Sequence, residues 1–135
     1  MTNHPFSLPK AEHLCGMKLI DRLFNSGMSK SLSAYPIRLV YMIGEREADD
    51  TTSPVAQMMV SVPKRYFKRA VKRNRIKRQV REAYRLNKHI VTEPLKACGN
   101  KNVYVCFVWS ADQLLDSNIV QAKMKGLLNR LAERL

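Results

Sequence analysis

Apolar positions along the chain change their period several times, and each change marks a predicted element. Leu14, Met17, Ile20, Leu23 and Phe24 recur at three- and four-residue spacing, which predicts an amphipathic helix over about residues 17–26, with Leu14 packing ahead of it. Gly27 stands where a helix C-terminus wants a residue free to take positive φ. Residues 28–34 (MSKSLSA) are small and polar, a loop or a weak edge strand. Residues 35–43 (YPIRLVYMI) alternate as a strand, with Ile37, Leu39, Tyr41 and Ile43 on one face and Arg38, Val40 and Met42 on the other. An acidic turn at 44–54 (GEREADDTTSP) then leads into a second strand at 55–62 (VAQMMVSV). The two strands are predicted to pair as a long antiparallel hairpin, its acidic turn held away from any polyanion bound elsewhere.

Pro63 stops the second strand, and the period changes again. Placed at about 100° per residue, Ile76, Val80, Ala83, Tyr84 and Asn87 fall in one narrow arc. Asn74, Lys77, Arg78, Arg81, Arg85 and Lys88 fall opposite, with Arg75 at the edge, so residues 71–88 read as a helix with a buried stripe and a cationic face. Lys72 and Arg73 lie nearer the apolar arc and are aimed off the helix end. Pro94, Gly99 and Asn100 mark a loop, and residues 103–109 (VYVCFVW) read as a central strand covered on both faces. Ser117 is the expected N-cap of a last helix at about 118–134, buried along Ile119, Val120, Met124, Leu127, Leu128 and Leu131. Strand, helix and strand from 55 to 109 predict a parallel βαβ unit in an α/β sandwich. Residues 1–13, polar with two prolines, are expected to form an irregular arm on a single domain spanning 1–135.

Charge changes this picture in one place. The segment 64–88 holds twelve of the twenty-four Lys and Arg residues and one acid, Glu82, while the rest of the chain carries twelve basic and ten acidic residues. The net charge of +13 is therefore a local feature on a scaffold of ordinary apolar content, 45%. A run of charge is most often a solvated face, but such faces carry mixed signs in i,i+4 pairs, and here one acid is available. Like charges at this density repel and call for a polyanionic partner, nucleic acid first. Charge does not separate DNA from RNA. A helix entering a DNA major groove stays open, although no helix-turn-helix partner precedes this one. A structural ribosomal or RNA-chaperone protein is a further reading.

A second surface follows from the aromatic positions. Ile20 and Phe24 on the first helix, with Tyr41 on the first strand, are placed to line an apolar cleft rimmed by Arg38 and Lys64, the arrangement that holds single-stranded nucleic acid. Ordinary core packing explains each of these residues taken singly. Catalytic signals are poor: neither a Ser/His/Asp nor a Cys/His arrangement stands out, Asp21, Asp112 and Asp116 lack paired-carboxylate spacing, and five glycines form no phosphate loop. Cys15, Cys98 and Cys106, with three histidines, make no zinc-ligand spacing and suit a reducing cytosol; Cys106 reads as a small core residue. The N-terminus lacks a signal core, and no apolar run reaches the ~18 residues of a membrane span, so a cytoplasmic protein is expected.

The run AVKRNRIKRQVREAYR at residues 70–85, centred on Arg73-Asn74-Arg75, closely resembles the signature of the protein subunit of bacterial ribonuclease P. Val60-Ser61-Val62 before it, the apolar strand after it, and Leu23-Phe24 with Gly27 fit the same family, and the resemblance covers about 14–134. It implies an α+β fold, a small αβ sandwich of α-β-β-(β)-α-β-α order with a left-handed βαβ crossover like that of ribosomal protein S5 domain 2. Spacing alone favours the right-handed crossover. The resemblance implies a ribonuclease P holoenzyme whose catalytic RNA subunit, with Mg²⁺, removes the 5′ leader of precursor tRNA. The protein supplies affinity, with no catalytic residue of its own, no metal site, no obligate protein partner and no membrane. By matching position, Arg73, Asn74, Arg75, Lys77, Arg78 and Arg81 would meet the catalytic RNA, and Phe24 and Tyr41 would line the leader cleft, which Ile20, Arg38, Lys64 and Arg65 are expected to complete. Ile20 stands where the family often has Phe. KRYFKR at 64–69 replaces a shorter, glycine-containing turn.

Overall fold

The alternating segments assemble into one four-stranded sheet, seen in a computed structural model that describes residues 8, 10–13, 21, 24, 27, 29–47 and 53–135. Its strands are β1 (Lys30–Ala34), β2 (Ile37–Glu45), β3 (Ala56–Ser61) and β4 (Lys101–Trp109), and three helices follow or interrupt them: α1 (Ala70–Asn87), α2 (His89–Cys98) and α3 (Ser117–Ala132). The order across the sheet is β1-β2-β4-β3, with β2 antiparallel to both neighbours and β3 parallel to β4. Most of the predicted helix at 17–26 lies outside the described residues; Asp21 and Phe24 are helical, and Gly27 takes φ +73°.

The sheet corrects one expectation. The strands at 35–43 and 55–62 do not form a hairpin: β2 pairs with β1 and β4, and β3 reaches only β4. The short turn at Tyr35–Pro36 closes a β1–β2 hairpin from residues that read as loop or weak strand. A two-residue loop costs less closure entropy than the acidic turn at 44–54. β4, apolar on both faces, then takes the central position between β2 and β3.

Strand alternation divides the apolar residues between two faces. Ile37, Leu39 and Tyr41 of β2, Ala56, Met58 and Val60 of β3, and Val103, Val105, Phe107 and Trp109 of β4 form the main core with the helices. Val40, Met42 and Cys106 form a second buried cluster with Met59, Tyr104 and Val108 against it, on the other face. Burial pushes the Cys106 thiol up to about 12, as suits a core cysteine. Ile43, expected in the first set, is largely exposed near the strand end.

α1 buries Ile76, Val80, Ala83 and Tyr84, with the Tyr84 ring 5.6 Å from that of Phe107 on β4. Gln79 ties α1 to the start of α3 by donating to the Leu115 carbonyl at 2.8 Å and to Ser117 Oγ at 2.9 Å. The N-cap of α3 is accordingly Asp116, whose side chain accepts from the Asn118 N–H, and Ser117 is the first helical residue. The α3 stripe is Val120, Met124, Leu127, Leu128 and Leu131, while Ile119 is exposed. The loop expected at Pro94 is instead helix α2: Val91, Thr92 and Leu95 are buried, and the stop comes at Gly99, φ +75°, whose N–H donates to the Leu95 carbonyl.

The described N-terminal residues are docked, as a strap along β3. His13 makes a parallel bridge to Met58, Gln57 donates to the Ala11 carbonyl at 3.0 Å, and Glu12 accepts from Lys88 Nζ at 2.8 and 3.0 Å. The strap covers what would otherwise be an open sheet edge. Among the described residues no helix is long and apolar enough to cross a membrane.

Ile76 is fully buried where α1 meets the core. Ile76→Ala is expected to lower unfolding free energy by about 2–5 kcal/mol in urea denaturation, with the basic residues untouched.

Candidate nucleic-acid interface

The rotation of α1 about its axis is set by its buried stripe, and that decides what each cation can do. Arg75, Arg78 and Arg81 are exposed, and so is Asn74; none of the four side chains has a hydrogen bond or ion pair among the described residues. Lys77 is half-buried beside them. An exposed guanidinium without a protein partner keeps its whole fork of N–H donors for a phosphate or a base edge.

Other cations of the run are engaged within the protein. Arg73 is half-buried, and its Nη1 donates to the carbonyls of Phe67 at 2.7 Å and Lys68 at 2.8 Å. It therefore holds the loop that enters α1, where no side chain caps the helix and the first turn has no acid. Arg85 pairs with Glu82 one turn back, and each lifts the other's charged state: hydrogen bonding to Arg85 holds the Glu82 carboxyl below the usual range. Lys88, expected on the cationic face, is 7% exposed and paired with Glu12 of the strap. The neighbouring Tyr84 hydroxyl has no hydrogen-bond partner among the described residues, and burial, with the Glu12 carboxylate nearby, pushes its titration upward.

The loop at 63–69 has a defined shape. Phe67 is buried in the main core, Tyr66 packs against it, and the Arg65 guanidinium sits 4.9 Å above the Tyr66 ring while donating to its hydroxyl at 3.3 Å. Lys64, Arg65, Lys68 and Arg69 are exposed. Glu45 pairs with Lys101 at the end of the sheet where β3 begins, and the basic loop leaves from the other end of β3, so this acid and the loop sit at opposite ends.

The expected cleft residues divide between faces. Arg38, Val108 and Ser61 form one row across the sheet on its second face, at the end from which Lys64 and Arg65 leave. Tyr41 points the other way: it is 1% exposed within the main core, and its hydroxyl accepts from Arg134 at 3.2 Å. A shift of one residue along a strand reverses the face, so the neighbours Val40 and Met42 occupy the side assigned to Tyr41. Ile20 lies outside the described residues, and Phe24 is helical and 45% exposed. The aromatic that sequence reading missed on the second face is Tyr104, in a row with Met42 and Gln57. The parity of VYVCFVW, with Tyr104, Cys106 and Val108 together, carried that signal. Leu8 was also missed: with Asn74, Arg78, Arg81, Glu82 and Arg85 it lines a concavity of about 370 Å³ on the cationic side of α1. Among the described residues there is no group of three or more His, Cys, Asp or Glu suited to a metal ion.

Comparison with known proteins gives a consistent set of matches. The profile of the Ribonuclease P family matches residues 8–132. The ribonuclease P protein component of Porphyromonas gingivalis is 41% identical over 135 residues, covering 98% of this chain and 92% of that protein. The component from Chlorobaculum tepidum is 33% identical, covering 96% and 86%. In fold, the chain is similar to the RNase P protein of Thermotoga maritima (TM-score 0.64, 21% identity, 88% of this chain and 96% of that one) and of Staphylococcus aureus (TM-score 0.57, 19% identity, 94% and 93%).

The two arginines of Arg73-Asn74-Arg75 differ in what they hold. Arg73→Ala is expected to destabilise the fold by about 1–3 kcal/mol and to speed amide exchange in residues 66–70. Arg75→Ala should stay within about 0.5 kcal/mol of the parent in the same urea titration.

Proposed function

The chain belongs to the ribonuclease P protein family, and from that premise we propose that it binds the catalytic RNA subunit through the outward face of α1 and helps that RNA remove the 5′ leader of precursor tRNA. The observation that carries this reading is the set of exposed arginines Arg75, Arg78 and Arg81, whose side chains have no partner among the described residues, on a helix whose other side is buried. Asn74 and Lys77 join them. Arg73 contributes mainly by holding the loop before them. About four phosphate contacts, from Arg75, Lys77, Arg78 and Arg81, would cost roughly 10² in affinity between about 50 and 200 mM salt.

The leader takes the second face of the sheet in this reading. A single strand needs a platform for bases and cations for its phosphates. Met59, Tyr104 and Val108, only partly buried over Val40, Met42 and Cys106, supply apolar and aromatic surface there, and Arg38, with Lys64 and Arg65 beyond the strand end, supplies charge. Phe24, helical and exposed, joins the set, as does Ile20 by its position in the family pattern; Tyr41 drops out because its ring is in the core. Mg²⁺ belongs to the RNA subunit and substrate. The donors on the protein's RNA face are cations, and its one acid there, Glu82, is paired with Arg85. Bound there, the ion would supply Lewis-acid chemistry for phosphodiester hydrolysis.

Three measurements test the reading. Mixed with the catalytic RNA at low Mg²⁺, the protein is expected to restore cleavage at the 5′ end of mature tRNA; no stimulation would reject it. Arg75→Ala should weaken holoenzyme assembly and reduce the log–log salt slope by about 0.7–0.9. Phe24→Ala should weaken binding of substrates with a long 5′ leader more than that of leaderless tRNA. Equal losses on both substrates would remove Phe24 from the leader site.

A further inference from the structure

The concavity between the strap and α1 contains two groups that a track for phosphates does not need. Its walls are Leu8 on one side and Asn74, Arg78, Arg81, Glu82 and Arg85 on the other, around about 370 Å³. Three guanidiniums suit an anion. A carboxylate among them repels one, and an apolar side chain adds nothing to phosphate binding. Both make sense against a nucleobase, which presents a flat apolar face and an edge of N–H donors.

Glu82 has the capacity for such an edge. Its Oε2 accepts from Arg85 Nε and its Oε1 from Arg85 Nη2, which uses about two of the four lone-pair sites of a carboxylate. Asn74, exposed and without a partner among the described residues, offers a donor and an acceptor at the same concavity. The volume falls at the low end of ligand pockets, about 300–1,000 Å³, which suits one nucleotide and not a duplex. Leu8 is held close to this wall because the strap beyond it is anchored by the Glu12–Lys88 ion pair, the Gln57 hydrogen bond and the His13–Met58 bridge.

We infer that the RNA-facing surface is composite, and that the concavity between the N-terminal strap and α1 takes a single unpaired nucleotide of the RNA subunit. Its phosphate lies on Arg78 and Arg81, its base lies against Leu8, and an amino or ring N–H of the base donates to Glu82. This rests on the reading of α1 as the RNA-subunit-binding helix.

The sign of one substitution separates base contact from charge. If α1 binds phosphates alone, Glu82→Gln removes a repulsive charge and tightens binding. With a base edge on Glu82, the same change weakens binding of the catalytic RNA by about tenfold, leaving the salt slope unchanged. Leu8→Ala is expected to weaken it severalfold, again without a change in slope, in the full chain shown by thermal melting to be folded. A pool of catalytic RNA lacking single bases should contain one position whose loss weakens binding to the parent protein and is neutral with Glu82→Gln. That last readout would not arise if Glu82 served only to position Arg85. Unchanged or tighter binding by either variant, or identical base-loss profiles, overturns the inference while Arg75→Ala still lowers the slope. If Arg75→Ala also leaves affinity and slope unaltered, the RNA-subunit reading falls and the inference with it.

Discussion

Burial of Ile76, Val80, Ala83 and Tyr84 is the interaction on which the rest depends. α1 carries seven Lys and Arg residues and one acid, with no side-chain cap and no acid in its first turn. A helix of that kind gains nothing from its macrodipole at the N-terminus and repels itself along its length. It persists because one face is packed against β4, through Tyr84 on Phe107, and is tied to α3 through Gln79. Packing energy thus offsets charge repulsion. The same contact fixes the helix rotation, and with it the direction of every cation.

That rotation sorts the cations by role. Arg73 holds the loop before the helix, Arg85 pairs with Glu82, and Lys88 anchors the strap through Glu12. Arg75, Arg78 and Arg81 remain exposed to solvent. Residues identical in charge and adjacent in sequence therefore do different work, and the count of charges overstates the number available to a polyanion. The strap has an equivalent double part. It covers the outer edge of β3 and brings Leu8 to the cationic side of α1.

The sheet separates two surfaces. α1 lies over the face that carries the main core, and Arg38, Val40, Met42 and Tyr104 lie on the other. Contacts to an RNA subunit and to a leader strand would then fall on opposite sides of β4. They come closest at the loop 63–69, where β3 ends and α1 begins, and Phe67 in the core keeps that junction in one shape.

Periodicity determined a good deal unaided. The α1 and α3 stripes, the central position of β4, the parallel βαβ unit and the cationic face of α1 follow from spacing, because helix and strand periods are local properties of the chain. Strand partners were not legible, since β2 had to choose between β1, β3 and β4, and that choice depends on closure entropy and on which strand needs cover on both faces. The cleft was legible in part: Arg38 kept its face, but Tyr41 lies in the core and Tyr104 on the second face, because strand parity becomes inside or outside only once the helices have taken one side. Arg73 and Lys88 could not be told from their neighbours in sequence; carbonyls of the entering loop and a carboxylate 76 residues away claim them. The sequence by itself determined that one helix would carry a cationic face suited to a polyanion, because charge and period are written along the chain. Only the tertiary structure decided which of those cations are free to meet it, because that depends on partners brought together by packing.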